Sequence, residues 1–255
     1  MTARHDRKDA CRPAVILQAR MGSQRLPGKV LRLVAGKPML EWCLLRLADS
    51  QRCRRVIVAT STAQADDAVE NFCAQRGTPC FRGSEDDVLL RYYEAAQKFQ
   101  TDPVIRITAD CPLIDARVLD DMLAAFAASD ADYLSNTLER TFPLGLDVEI
   151  FSSSALLRAQ HEATQRFERE HVTPFFYQHP ERFKLASFKH DADWSHLRVT
   201  VDTHEDWQVA DNVYSHFIRT GRDHFFSLEE LLQLHSAQPE LFAPNREVRQ
   251  KHLGE

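Results

Sequence analysis

Three cations and two glycines fall within ten residues near the start of the chain, in Ala19-Arg20-Met21-Gly22-Ser23-Gln24-Arg25-Leu26-Pro27-Gly28-Lys29. Backbone N–H groups beside glycine can approach a phosphate closely. Arginine adds forked hydrogen bonds to phosphate oxygens, and lysine adds a point charge. This is the equipment for gripping a triphosphate, set against the plainer reading of a basic surface turn. Two familiar phosphate loops are excluded. G-x-G-x-x-G is absent, and the Walker loop needs four residues between its glycines and a hydroxyl after its lysine. Here five residues separate Gly22 from Gly28, and Val30 follows Lys29. A loop without that hydroxyl leaves magnesium to carboxylates elsewhere.

Two aspartates answer that demand. Asp110 follows an apolar run and precedes Cys111-Pro112, where the chain must turn; Asp202 follows Leu197–Val201 and precedes a helix whose first turn carries Glu205 and Asp206. Magnesium takes one or two carboxylates and completes its octahedron with water and phosphate oxygens. Each aspartate has a structural alternative, Asp110 as a turn former and Asp202 as a helix cap in competition with Thr203. For a nucleobase, Gly83-Ser84 after a short strand and Thr60-Ser61 at the end of the second strand offer backbone groups and hydroxyls. Ser84 equally reads as a helix cap, with the acidic Asp87 three residues on.

For a second substrate the candidates are Arg106, Asp147, Glu149, Arg169, Glu170 and His171. Alternation places Asp147 and Glu149 on one face of their strand, lining a pocket or facing solvent. His171 lies near a Phe/Tyr cluster, where packing alone can explain it. No Ser-His-Asp or Cys-His arrangement calls for a covalent intermediate, and Cys111 is poorly placed to become a thiolate.

These residues need a scaffold. Strands are expected at 14–17, 55–59, 79–81, 104–107, 132–135, 147–151 and 197–201, with an edge strand near 183–188. Helices are expected at 38–49, 65–75, 86–99, 115–128, 154–178, 204–219 and 227–235. The alternation implies an α/β protein with a mostly parallel sheet covered on both faces. Ligands of such sheets bind at the carboxyl ends of the strands, where the first loop lies.

The loop resembles that of the cytidylyltransferases that make CMP-activated sugar acids, the CMP-Kdo and CMP-sialic acid synthetases, and looks closest to their spore-coat polysaccharide biosynthesis branch. Matching segments follow in order: 81–88, 106–115, 135–138, 145–149, 168–174 and 201–206, so the likeness runs from about Ala14 to Phe217. It implies a three-layer α/β/α nucleotide-diphospho-sugar-transferase-like (Rossmann-like) fold, working as a homodimer. It also implies transfer of CMP from CTP to a hydroxylated sugar acid, with Mg²⁺ as cofactor and pyrophosphate released, for surface polysaccharide or glycoconjugate synthesis. Lys29, Arg20, Asp110 and Asp202 become the catalytic set, with the metal on Asp110 and Asp202. Ala19, Arg20, Met21, Gly22, Ser23, Arg25, Lys29, Thr60, Gly83, Ser84 and Asp110 become the nucleotide contacts. The 106, 147–149 and 169–171 group then faces the sugar.

Three other readings compete. A sugar-1-phosphate nucleotidyltransferase would use another NTP and a longer glycine-rich loop. A glycosyltransferase would use a D-x-D such as Asp130-Ala131-Asp132 or Asp191-Ala192-Asp193. A non-catalytic nucleotide-binding protein would keep the fold alone.

Composition narrows the partners. The 255 residues are 44% hydrophobic and 27% charged with a net charge of −5, which gives no footprint for nucleic acid. No apolar run approaches the roughly 20 residues of a membrane span. Residues 1–12 are charged, lack the apolar core of a signal peptide and read as a disordered lead-in. Six cysteines without a C-x-x-C pair suggest reduced thiols in the cytoplasm. With no low-complexity linker, residues 13–240 read as one domain, 136–200 as an acceptor-binding or dimerisation elaboration, and 241–255 as a loose tail.

Overall fold

The computed structural model describes residues 12–250. In chain order these form β1 (Ala14–Gln18), a short 3-10 turn (Lys29–Leu31), β2 (Leu33–Val34), β3 (Lys37–Pro38), α1 (Met39–Ala48), β4 (Val56–Ser61), α2 (Asp67–Gln75), β5 (Cys80–Gly83), α3 (Val88–Phe99), β6 (Val104–Thr108), α4 (Ala116–Ala128), β7 (Tyr133–Ser135), β8 (Glu149–Phe151), α5 (Ser153–Glu162), α6 (Arg166–His171), α7 (Pro174–Tyr177), β9 (Leu185–Ser187), α8 (His204–Arg219), α9 (Leu228–Ala237) and a 3-10 helix (Pro239–Asn245).

The seven-stranded sheet runs β5-β4-β1-β6-β8-β7-β9. Its first four strands are mutually parallel, β8 is antiparallel to both β6 and β7, and β9 pairs parallel with β7. The apolar runs of β1, β4 and β6 are buried on both faces, as central parallel strands require. Val15, Leu17, Val58, Ile105 and Ile107 face one layer, with Trp42, Leu119, Tyr214 and Leu231. Ile16, Ala59, Val104, Tyr133 and Phe151 face the other, with Tyr92, Leu156 and Phe176. The expected mostly parallel sheet between two helical layers is the observed fold. The parallel order brings Gln18, Ser61, Gly83 and Thr108 to one edge.

Four expectations need correction. The helix expected over 154–178 is three helices, because Ala163 is extended, a Gln165–Glu168 capping box starts α6, and Pro174 opens α7. The expected strand at 197–201 is an extended segment with one bridge, Leu144↔Arg198. It crosses so close to Gly145, at φ +109°, that a Cβ there would meet the Thr200 nitrogen at 2.3 Å, so only glycine fits. The strand expected from Asp147 begins at Glu149 and is buried on both faces rather than half-exposed.

The tail expected to be loose from 241 is packed through Asn245, while Arg246, Glu247, Arg249 and Gln250 are exposed. Phe242 and Asn245 are each 5% exposed, and Asn212 donates to the Leu241 carbonyl across the interface with α8. Apart from Arg12, the expected lead-in lies outside the described residues, with Cys11 in it; so do residues 251–255. The five described cysteines are all free thiols. No helix among the described residues is long and apolar enough to cross a membrane.

Candidate nucleotide and metal site

The loop after β1 is held from below. The Ala19 N–H donates to the Ala59 carbonyl at 3.0 Å. The Met21 N–H donates to Asp66 Oδ1 at 2.7 Å, and Asp66 Oδ2 accepts from the Ser61 N–H at 3.0 Å and from its hydroxyl at 2.5 Å. Burial works against the Asp66 charge, but these donors outweigh it and hold the carboxyl below the usual range. The Met21 carbonyl accepts from Ser23 and Gly28 N–H, closing residues 21–28 into a compact turn. Gly28 sits at φ +69°, the left-handed conformation that starts the Lys29 turn.

Lys29 then points at the carboxyl ends of β6 and of the 197–201 segment. Its ammonium lies 3.0 Å from Asp110 Oδ2, 2.8 Å from Asp202 Oδ1 and 2.8 Å from the Val201 carbonyl. Asp202 Oδ2 meets Arg25 at 3.0 Å and Arg198 at 3.2 Å. Arg198 is fixed from behind by Asp206, at 2.7 Å through both Nε and Nη2. Burial disfavours the Lys29 charge, yet Asp110 and Asp202 keep its pKa above the usual lysine value. Burial likewise opposes ionisation of Asp110, and Lys29 reverses that to hold it below the usual carboxylate range. The helix cap that competed for Asp202 belongs to Thr203, whose hydroxyl accepts from the Asp206 N–H at 3.3 Å. Asp202 is left to the cleft.

That cleft has a volume of about 930 Å³. Of the expected residues, Arg20, Gly22, Ser23, Arg25, Lys29, Asp110, Asp202, Glu170 and His171 line it. Burial, then the nearby Arg106 and Arg20, depress the His171 pKa. Gln24 of the loop also lines it, and so do Gln18, Glu85, Thr108, Arg166, Phe167 and Gln250, which were not anticipated. Gln18 and Thr108 carried a signal, as polar residues closing apolar runs at carboxyl strand ends. Asp66 carried none, lying 45 residues from the amide it holds.

The remaining expected residues stand elsewhere. Ala19, just past β1, and Thr60, in β4, are buried, and Met21 packs against the core. Gly83 is also buried, and a Cβ there would meet Arg91 and Phe81 at 2.9 Å. The Ser84 hydroxyl accepts from the Asp87 N–H at 3.0 Å, and Asp87 itself caps α3. Arg106 is paired with Glu149, and the Tyr133 hydroxyl donates to Glu149 at 2.5 Å, so all three are engaged beneath the cleft. Asp147 is gripped by Arg140 at 2.6 and 3.1 Å. Arg169 turns away to Asp87 and the Gln160 carbonyl, tying α6 to the start of α3. The D-x-D candidates are surface braces, with Asp130 on Lys184 and Asp193 capping the Ser195 N–H.

Among the described residues no cluster of three or more His, Cys, Asp or Glu could hold a metal. Asp110 and Asp202 nevertheless converge on a single cation, Lys29, which shows that the two carboxylates can share a positive centre. Two carboxylates with room for phosphate and water is the donor set magnesium favours.

Residues 14–247 match the family described as cytidylyltransferase. The uncharacterized protein MJ1063 of Methanocaldococcus jannaschii is 34% identical over 242 residues, covering 94% of this chain and 97% of its own. The spore coat polysaccharide biosynthesis protein SpsF of Bacillus subtilis is 32% identical over 232 residues, covering 88% and 94%. A cytidylyltransferase structure from Leptospira borgpetersenii superposes with a TM-score of 0.87 at 33% identity, covering 95% of this chain and all of that one.

Proposed function

The chain belongs to the cytidylyltransferase family, and from that premise we propose that it transfers CMP from CTP to a hydroxyl of a small sugar acid, releasing pyrophosphate. The observation that carries this reading is the meeting of the loop cation Lys29 with Asp110 and Asp202 at the carboxyl edge of the sheet. Arg20 and Arg25 flank the same cleft and would hold the triphosphate with forked hydrogen bonds. Asp110 and Asp202 would hold Mg²⁺, which when bound offsets charge on the α- and β-phosphates.

The chain's own work is positioning and charge neutralisation, as in phosphoryl transfer generally. The pinned turn at 21–28 presents its backbone to the phosphates. His171 lines the same cleft and would face the acceptor hydroxyl. Arg166 and Glu170 would orient the rest of the acceptor.

The role named for the Bacillus subtilis relative supports placing the product in surface polysaccharide or glycoconjugate assembly. The same reading includes a cytoplasmic homodimer, which sedimentation of the purified protein tests. Pyrophosphate release, measured for each NTP against a panel of sugar acids and sugar phosphates, tests the activity. Turnover with CTP and a sugar acid is expected. Turnover with another NTP and a sugar 1-phosphate would overturn the proposal.

A further inference from the structure

Lys29 is fully engaged within the chain itself. An ammonium has three donors, and here each has an acceptor: Asp110, Asp202 and the Val201 carbonyl. No donor is left for a phosphate. Asp202 is equally engaged, with Lys29 on one oxygen and Arg25 and Arg198 on the other. The Lys29 side chain is only 10% exposed, so solvent screens these charges weakly and like charges brought together there repel strongly.

Taking the metal site assigned above, we propose that Lys29 is a built-in counter-cation that occupies the magnesium position in the free protein, so that metal enters only as nucleotide draws the lysine away. A divalent ion approaching Asp110 and Asp202 meets an ammonium already seated between them. A triphosphate on the 21–28 turn offers that ammonium a second set of anionic oxygens. Lys29 lies just beyond that turn, so its side chain can exchange carboxylate for phosphate without refolding the backbone. Arg198 stays behind, because Asp206 holds it through two hydrogen bonds and Asn245 anchors both Asp206 and the Arg198 carbonyl. Metal and nucleotide then bind cooperatively, and the coupling is reciprocal.

The test is Mn²⁺ binding to the nucleotide-free protein, followed by electron paramagnetic resonance of the free ion. Wild type is expected to bind weakly. Lys29→Met should bind about tenfold more tightly, within the range usual for coupled sites, and Lys29→Arg, which restores the charge, should return to the wild-type value. Lys29→Met with Asp110→Asn should lose the gain. Arg25→Ala alters a partly exposed side chain, so it tests the idea without burdening the fold; it should tighten Mn²⁺ about threefold, the size of effect expected of an ion pair partly open to solvent. If neither Lys29→Met nor Arg25→Ala tightens binding, the counter-cation role is overturned. A separate measurement, Mn²⁺ binding to the CTP complex, distinguishes failure of the premise. If Asp110→Asn and Asp202→Asn leave that binding unchanged, the two-carboxylate site itself is wrong.

Discussion

Lys29 joins the loop after β1 to both Asp110 and Asp202, and its removal should be felt at the chemical step. Lys29→Ala is expected to lower kcat/KM by about 10²–10³-fold, the usual loss for one electrostatic donor at a developing charge, read as pyrophosphate release from CTP. A near-wild-type rate would take the loop out of the reaction. Arg169 makes the opposite case. Its guanidinium ties α6 to Asp87 rather than reaching the cleft, so Arg169→Ala should cost about 1–3 kcal/mol of stability and leave the acceptor KM unchanged. A raised acceptor KM with unchanged stability would return Arg169 to the cleft. The cations of the loop and the two aspartates stand out in the sequence because each follows an apolar run: β1 before the loop, β6 before Asp110, and the extended 197–201 segment before Asp202. Arg169 and Glu149 were not, since their partners Asp87 and Arg106 lie 82 and 43 residues away. A polar side chain satisfied at that distance looks, in sequence, like one awaiting a ligand.

At the scale of elements, the loop depends on a 3-10 turn, Gln64–Asp66, that carries Asp66 into α2. Asp66→Asn keeps one acceptor oxygen but sets an amide NH₂ against donors. It is expected to lose about 1–3 kcal/mol and to raise the KM for CTP, as thermal melts and initial rates will show. The sign of the pH effect follows from the lowered carboxyl pKa. The unfolded group titrates near its ordinary value of 3.8. The stabilisation is therefore complete above that pH and disappears as pH falls through the lower folded value. Urea melts across pH 2–6 (a window of about two units either side of that value) should show wild type losing stability below about pH 4, with Asp66→Asn flatter. Equal slopes would mean that another group dominates. The parallel strands were legible from their continuous apolar runs. The break-up of 154–178 was written in Pro174 and the Gln165–Glu168 box, but an amphipathic pattern runs across both and hides them. The 197–201 segment has a strand's composition, but its backbone hydrogen bonds go to Leu144 and Asp110 and not to a neighbouring strand.

At the scale of the molecule, the strand order does what alternation promised, gathering four carboxyl ends at one edge. The end of the described chain does what its composition did not promise. Asn245 donates to the Arg198 carbonyl at 3.0 Å and to Asp206 at 2.9 Å, and Gln250 accepts from Arg198 at 2.5 Å and lines the cleft. Asn245→Ala should cost about 1–3 kcal/mol, because it strips a buried acceptor of its partner, and should weaken Mn²⁺ binding to the CTP complex. Unchanged binding would confine Asn245 to stability. This anchoring was hidden because the short 3-10 helix carrying Leu241 and Phe242 shows neither the 3.6-residue period of an α-helix nor the two-residue period of a strand.

That anchoring also has a consequence in time. Asp202 is braced through Arg198 and Asp206 by residues made some 39 to 52 positions later. During translation the sheet and the phosphate loop can assemble while that brace is still inside the ribosome. The strands and the loop after β1 are thus made well before Asp202 acquires its brace, and a chain cut short of Asn245 keeps Lys29, Asp110 and Asp202 but loses the Asn245 hydrogen bonds to Arg198 and Asp206.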